Sequence, residues 1–294
     1  MKKIITVILV ALFFITINLS AQSFIRIKGS DTLINLVQKL AEVYMEENPN
    51  TAIAVTGGGS GVGIAALIAD RVDIADASRQ MKPKEIEAAH KNGVDPVEVV
   101  VGIDGLSVII NAENPVSSLT MDQIGLIFRG ETTNWKDVGG PDKEISLYGR
   151  QANSGTYVFF QELVLKKKDY SSDMKRMNGN AQIVEGVAAD KEGIGYVGIG
   201  YVYDDEHNLR KDIKVISVTQ GEAEPVSPLI SENVKSGKYP IARALYQYVN
   251  GIPDGDVKKF IAFELSDKGQ KIVEDLSFYP VSGEYKFQNE KAGF

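Results

Sequence analysis

Between residues 148 and 160 the chain reads YGRQANSGTYVFF. Arg150 stands just ahead of Ser154, Gly155 and Thr156, and an apolar segment follows at once. A guanidinium offers a planar fork of donors that suits an oxyanion. A helix start offers unpaired backbone N–H groups and a partial positive charge. Small hydroxyl residues add donors in the first turn, and a glycine lets an anion come close to the backbone. Two other stretches share this chemistry, Gly29-Ser30-Asp31-Thr32 and Gly58-Gly59-Ser60-Gly61. Each follows a strand-like run and precedes an apolar helical pattern. Three such starts converging on one point could surround a tetrahedral oxyanion, with Arg150 as its charged clamp.

A serine at one helix start is usually only a cap, and a glycine-rich turn after a strand is often only a turn. GVGIAA at 61–66 loosely fits the dinucleotide fingerprint, but a glycine run produces such matches by chance. No G-x-x-x-x-G-K-[ST] occurs, which excludes a P-loop. The joint appearance of the three starts carries the weight.

The elements that must position them alternate along the chain. FIRIK at 24–28 reads as a strand; Leu33, Leu36, Val37, Leu40 and Tyr44 follow helical spacing, with Ser30 or Asp31 as the natural N-cap. TAIAVT (51–56) and VDIADAS (72–78) read as strands, 64–69 and 83–91 as helices, and PVEVVVGIDGLSVIIN (96–111) as a pair of strands. Beyond 120 come a helix, the strand EISLYGR, a helix opened by Ser154 whose face Tyr157, Phe160, Leu163 and Val164 anchors it, and the strand-like EGIGYVGIGYV. KVISV reads as a strand, and two late helices are expected at about 240–250 and 256–275, with a frayed polar tail over 284–294. The alternation argues α/β architecture with mostly parallel sheets.

Residues 1–21 hold two lysines, an apolar run from Ile4 to Ile17 and a small-residue end at Ser20-Ala21, the layout of a signal peptide cleaved after Ala21. The run is short for a membrane span. Export with no cysteine leaves no disulfide, no thiolate metal site and no lipid-modified cysteine. Only His90 and His207 are present, both in charged surroundings, which disfavours zinc or a histidine relay. The formal charge of −7 becomes −9 once Lys2 and Lys3 leave with the signal, a poor balance for nucleic acid or anionic membranes. A small anion held by local dipoles remains compatible with it.

With these residues in view, the chain resembles the phosphate-binding proteins of bacterial phosphate ABC transporters, the PstS family. GSDTL, GGGSGVG and RQANSGT look like that family's three ligand-holding segments in order, and GLIFRGETTNWKDVGG, GIGYVGIGYV, KYPIARALYQYVNG and FIAFELSDKGQKIV are similar to further typical segments. The resemblance implies a type II periplasmic-binding-protein fold: two α/β lobes, residues 24–102 plus 228–294 and residues 103–227, with ligand in the cleft between them. Gly102-Ile103-Asp104-Gly105 is then a candidate hinge. It implies a monomeric periplasmic receptor, not an enzyme and without cofactor or metal, that closes on inorganic phosphate and docks on a membrane permease. The residues it assigns to the ligand are Ser30, Asp31, Thr32, Gly59, Ser60, Ser78, Arg79, Arg150, Ser154, Gly155 and Thr156.

One departure matters. Where the best-known members end their third strand in Ser-Asp, with the aspartate accepting the proton of hydrogen phosphate, this chain reads Ala77-Ser78-Arg79. Asp31 is the expected substitute acceptor, with Arg79 as a second clamp or as its partner. Its alternative role is a helix cap. The departure also keeps open a receptor for another tetrahedral oxyanion such as sulfate, or a phosphate sensor without transport. A phosphatase would need a metal cluster or an activated nucleophile for which the chain has few residues.

Overall fold

The computed structural model describes residues 23–204 and 206–294, so the expected signal peptide lies outside the described residues. In chain order the elements are β1 (Ser23–Gly29), α1 (Ile34–Glu47), β2 (Thr51–Thr56), α2 (Ser60–Ile68), β3 (Ile74–Ala77), α3 (Pro83–Lys91) and β4 (Pro96–Gly105). Next come β5 (Ser107–Asn111), β6 (Ser118–Thr120), α4 (Met121–Phe128), β7 (Ser146–Arg150), α5 (Gly155–Leu163), β8 (Lys175–Met177), α6 (Asn180–Ala189) and β9 (Gly193–Val197). The chain ends with β10 (Ile213–Val215), β11 (Ser217–Thr219), α7 (Ser231–Lys235), β12 (Ala242–Asn250), α8 (Gly255–Leu265), α9 (Asp267–Asp275) and α10 (Glu284–Lys291).

Two five-stranded sheets organise these elements, in the orders β2-β1-β3-β12-β4 and β10-β5-β9-β7-β8. The first draws its strands from residues before Leu106 and from the late strand β12; the second uses strands between 107 and 215. β4 therefore hands the chain from one sheet to the other at Leu106. In β1, Ile25 and Ile27 point into the core while Phe24 and Arg26 face outward, the alternation of a half-covered strand. Both sheets are mixed, which corrects the expectation of mostly parallel ones. β12 runs antiparallel to β3 and β4, and β5 antiparallel to β9 and β10.

Three further expectations change. Residues 242–250 form a strand, not a helix. Its residues are buried on both faces in the middle of a sheet, so the helical spacing of Ile241, Leu245, Tyr248 and Val249 is a property of a fully covered strand that periodicity cannot separate from a helix. The single helix expected over 256–275 is two, divided at Ser266, whose hydroxyl caps α9 by accepting from the Gly269 N–H at 3.2 Å. The tail is docked rather than frayed. Asn289 in α10 is buried, and its amide exchanges two hydrogen bonds with the Val100 backbone in β4, at 2.7 and 2.8 Å. His90 and His207 are exposed, as their charged surroundings suggested.

Candidate functional site

The three helix starts meet between the two sheets. α2 begins at Ser60 behind Gly59, and α5 begins at Gly155 behind its N-cap Ser154, whose hydroxyl accepts from the Tyr157 N–H at 3.4 Å. α1 begins later than expected, at Ile34, because residues 31–33 form a turn. Asp31 is therefore not its N-cap. Both β1 and β7 end at these turns, the edge of an open α/β sheet where ligands usually bind.

Backbone contacts close the gap between the sheets. The Gly61 N–H donates to the Asn153 carbonyl at 3.0 Å, and the Asn153 amide donates back to the Gly58 carbonyl at 3.0 Å. Gly59 has φ +88°, and a Cβ there would lie 2.7 Å from the Asn153 oxygen. A Cβ on Gly155 would strike the Ser60 and Ser78 hydroxyls. Glycine is required at both places by close approach.

Four hydroxyls form a buried chain. Thr32 and Thr156 Oγ1 are 3.0 Å apart, Thr156 Oγ1 and Ser78 Oγ 3.4 Å, and Ser78 and Ser60 Oγ 3.3 Å. Ser30 is buried beside them and its hydroxyl accepts from the Thr32 N–H. Arg150 is only 1% exposed. Its Nη2 donates to the Asp31 carboxylate and to the Asn178 carbonyl, while Nε and Nη1 are buried and have no partner among the described residues. A buried guanidinium N–H without an acceptor is costly, so these atoms point to an oxygen-rich ligand. Phe160 supports α5 from below, stacked on Tyr196 with centroids 4.1 Å apart, and the Tyr196 hydroxyl accepts from the Arg150 N–H. Val164 is buried as expected, but Leu163 is 40% exposed and anchors nothing.

The structure places two assigned residues differently from the expectation. Arg79 is neither a second clamp nor a partner of Asp31. Its guanidinium forms two 2.8 Å bonds to Glu85 in α3, and Glu85 also takes the Lys82 N–H, so Arg79 buttresses the start of α3. Asp31 has one oxygen on Arg150 and the other on the Gly58 N–H at 2.9 Å, the posture of a counter-charge. Tyr201 donates to the Asp31 carbonyl at 2.5 Å, and burial pushes its phenol far up from its ordinary value.

The second arginine of the site is Arg243, which the sequence reading did not single out. Strand register sets it opposite Asp104. Its Nε and Nη2 reach one Asp104 oxygen at 3.1 and 2.8 Å, Nη1 the Ser78 carbonyl at 3.0 Å, and Nη2 also Thr156 Oγ1 at 3.0 Å and Thr32 Oγ1 at 3.4 Å. Burial pulls this guanidinium below its usual range, and the Asp104 charge opposes the shift. The available signal was a lone arginine inside the apolar run IARALYQYV, since an arginine among core residues is almost always paired. Each arginine thus carries one carboxylate, and the excess attraction for an anion comes from oriented N–H and O–H dipoles.

This geometry defines a two-lobed α/β receptor with an oxyanion seat at the converging helix starts. The PBP superfamily domain matches residues 17–268. The phosphate-binding protein PstS of Staphylococcus haemolyticus is 34% identical over 270 residues, covering 90% of this chain and 82% of that protein. A putative phosphate ABC transporter substrate-binding protein with bound phosphate, from Clostridium perfringens, superposes with a TM-score of 0.78 at 29% identity, covering 88% of this chain and all (100%) of that one. An ABC-type phosphate transport receptor from Vibrio cholerae gives a TM-score of 0.70 at 29% identity, covering 87% of this chain and 100% of its own. The chain belongs to the PstS family of phosphate-binding proteins within the PBP superfamily.

Proposed function

We propose that this protein binds inorganic phosphate outside the cytoplasm and delivers it to the permease of an ABC importer. The observation that carries the reading is Arg150, buried and with Nε and Nη1 lacking a partner among the described residues, at the point where three helix starts and four hydroxyls meet. Donors from both lobes address the same place, so a ligand there binds the closed arrangement better than an open one and shifts the equilibrium toward it. The closed form is then the one the permease recognises. The receptor works as an exported monomer, released from its signal peptide after Ala21, without cofactor and without catalysis. The buried hydroxyls have no histidine or metal beside them among the described residues, and an unactivated hydroxyl is a weak nucleophile.

The test is calorimetric titration of mature, phosphate-stripped protein with inorganic phosphate, followed by incubation with a phosphate monoester. One-to-one binding without turnover is expected. Absence of heat at millimolar phosphate, or release of phosphate from the ester, overturns the reading.

A further inference from the structure

We propose that Tyr201 and Asn153 form a two-point latch between the two sheets, whose strength sets how long the closed receptor retains its anion although neither side chain belongs to the anion seat. The inference rests on the receptor reading above. It follows from what the groups facing across the cleft reach.

Arg150 and the buried hydroxyls gather at one point, and Arg150 keeps two N–H-bearing atoms without a partner among the described residues. Tyr201 and Asn153 reach backbone instead. The Tyr201 hydroxyl has one proton and gives it to the Asp31 carbonyl at 2.5 Å. Asn153 is exposed at the rim. Its amide donates to the Gly58 carbonyl and its backbone carbonyl accepts from the Gly61 N–H, both at 3.0 Å. These bonds join turns that present the seat, and they serve no group of the anion.

Each side of the latch is a joined unit. The Gly58 N–H donates to the Asp31 carboxylate and the Gly59 N–H to the Gly29 carbonyl, both at 2.9 Å, so the turns after β1 and β2 move together. Opposite them, Asn153 follows β7 and Tyr201 follows β9, parallel neighbours in the second sheet. Once one point has engaged, the other is made between groups already side by side, at a high effective concentration. The two points therefore form and break together. An anion enters before the cleft shuts, so the latch adds nothing to the encounter. It must break before the anion leaves, and its strength appears in the release rate.

The experiment compares wild type, Tyr201→Phe, Asn153→Ala and the double variant of the mature protein, with inorganic phosphate as the probe. Calorimetry gives the affinity, phosphorus exchange NMR gives the release rate, and the association rate follows from the two. Each single variant is expected to release phosphate about fivefold faster and the double variant about 25-fold faster, with association within about twofold of wild type. The melting temperature of the phosphate-stripped protein should stay within about 2 °C of wild type, because the open receptor makes neither bond. Two results overturn the proposal: release from the double variant within about threefold of wild type, or weaker binding carried by slower association. If Tyr201→Phe lowers the phosphate-free melting temperature further, Asn153→Ala, which removes only an exposed amide, decides by the same release rate. Failure of wild type to bind phosphate rejects the receptor reading itself, an outcome distinct from a latch that does not hold.

Discussion

Arg243 and Asp104 stand directly opposite each other on the antiparallel strands β12 and β4, 6% and 0% exposed, and their ion pair reaches the hydroxyl chain through Arg243. Asp104 also holds the Ile199 N–H just after β9 of the second sheet, and Arg243 also holds Thr156 of α5. The pair thus joins the strand that leaves the first sheet to the elements that face it. Removing one partner leaves an uncompensated buried charge. Arg243→Leu is expected to cost about 3–5 kcal/mol of stability, measured by denaturant unfolding without phosphate. Asp104→Asn/Arg243→Leu together should cost less than the sum of the single changes, because the two act as a unit.

Arg150→Lys keeps a positive charge but loses the planar fork that serves Asp31, Asn178 and the ligand at once. Phosphate affinity is expected to fall about 100-fold while the melting temperature without ligand changes little. Calorimetry and a thermal melt on the same sample separate the two effects. An affinity within threefold of wild type (roughly 0.65 kcal/mol) would show that the ligand does not use the guanidinium.

Gly59→Ala introduces a methyl group that meets the Asn153 carbonyl from the opposite lobe, at a residue with φ +88°. With ψ +153° the residue lies in a region essentially reserved to glycine, so this strain acts in every conformation and costs about 3 kcal/mol. The collision acts only when the lobes close. Phosphate binding should weaken at least about tenfold, and small-angle scattering should show less compaction on adding phosphate than in wild type. Normal compaction at saturating phosphate would show that the turn yields.

Asp76 and Glu264 share the amide of Gln247, which donates 3.1 Å bonds to both carboxyls in a fully buried setting. Burial pushes Asp76 up to about 7, and burial together with the Asp76 charge pushes Glu264 well above its ordinary value. The folded state therefore holds protons that the unfolded chain releases near pH 4. Stability is highest below the unfolded value, declines as pH rises through this interval, and levels off above the folded value. Asp76→Asn keeps an acceptor for Gln247 and cannot ionise. Its melting temperature should match wild type near pH 4 and exceed it by about 3–8 °C at about pH 8. A wild-type melting temperature that rises between about pH 4 and about pH 7 would contradict the assignment.

Much of the site is written in local sequence. A strand, a turn of glycine and small hydroxyl residues and an apolar helix form a helix start by short-range physics, and the chain carries three of them. Ser154 as the α5 cap, the glycines at 59 and 155, and the burial of Arg150 follow from that pattern together with the space a Cβ would occupy. Partner choice was not legible. Arg79 takes Glu85 of the helix that follows it, whereas Asp31 reaches Arg150, 119 positions away. Charges pair with what the fold brings near, and no spacing in the chain announces it. The same limit hid Arg243. Its strand is covered on both faces, so its apolar pattern fits helix and strand alike, and only register with β4 sets it opposite Asp104. The sequence by itself determined the donors and the local turns that present them. The tertiary structure decided which carboxylate balances which arginine and which hydroxyls line up beside them, because those depend on contacts between strands and lobes far apart in the chain.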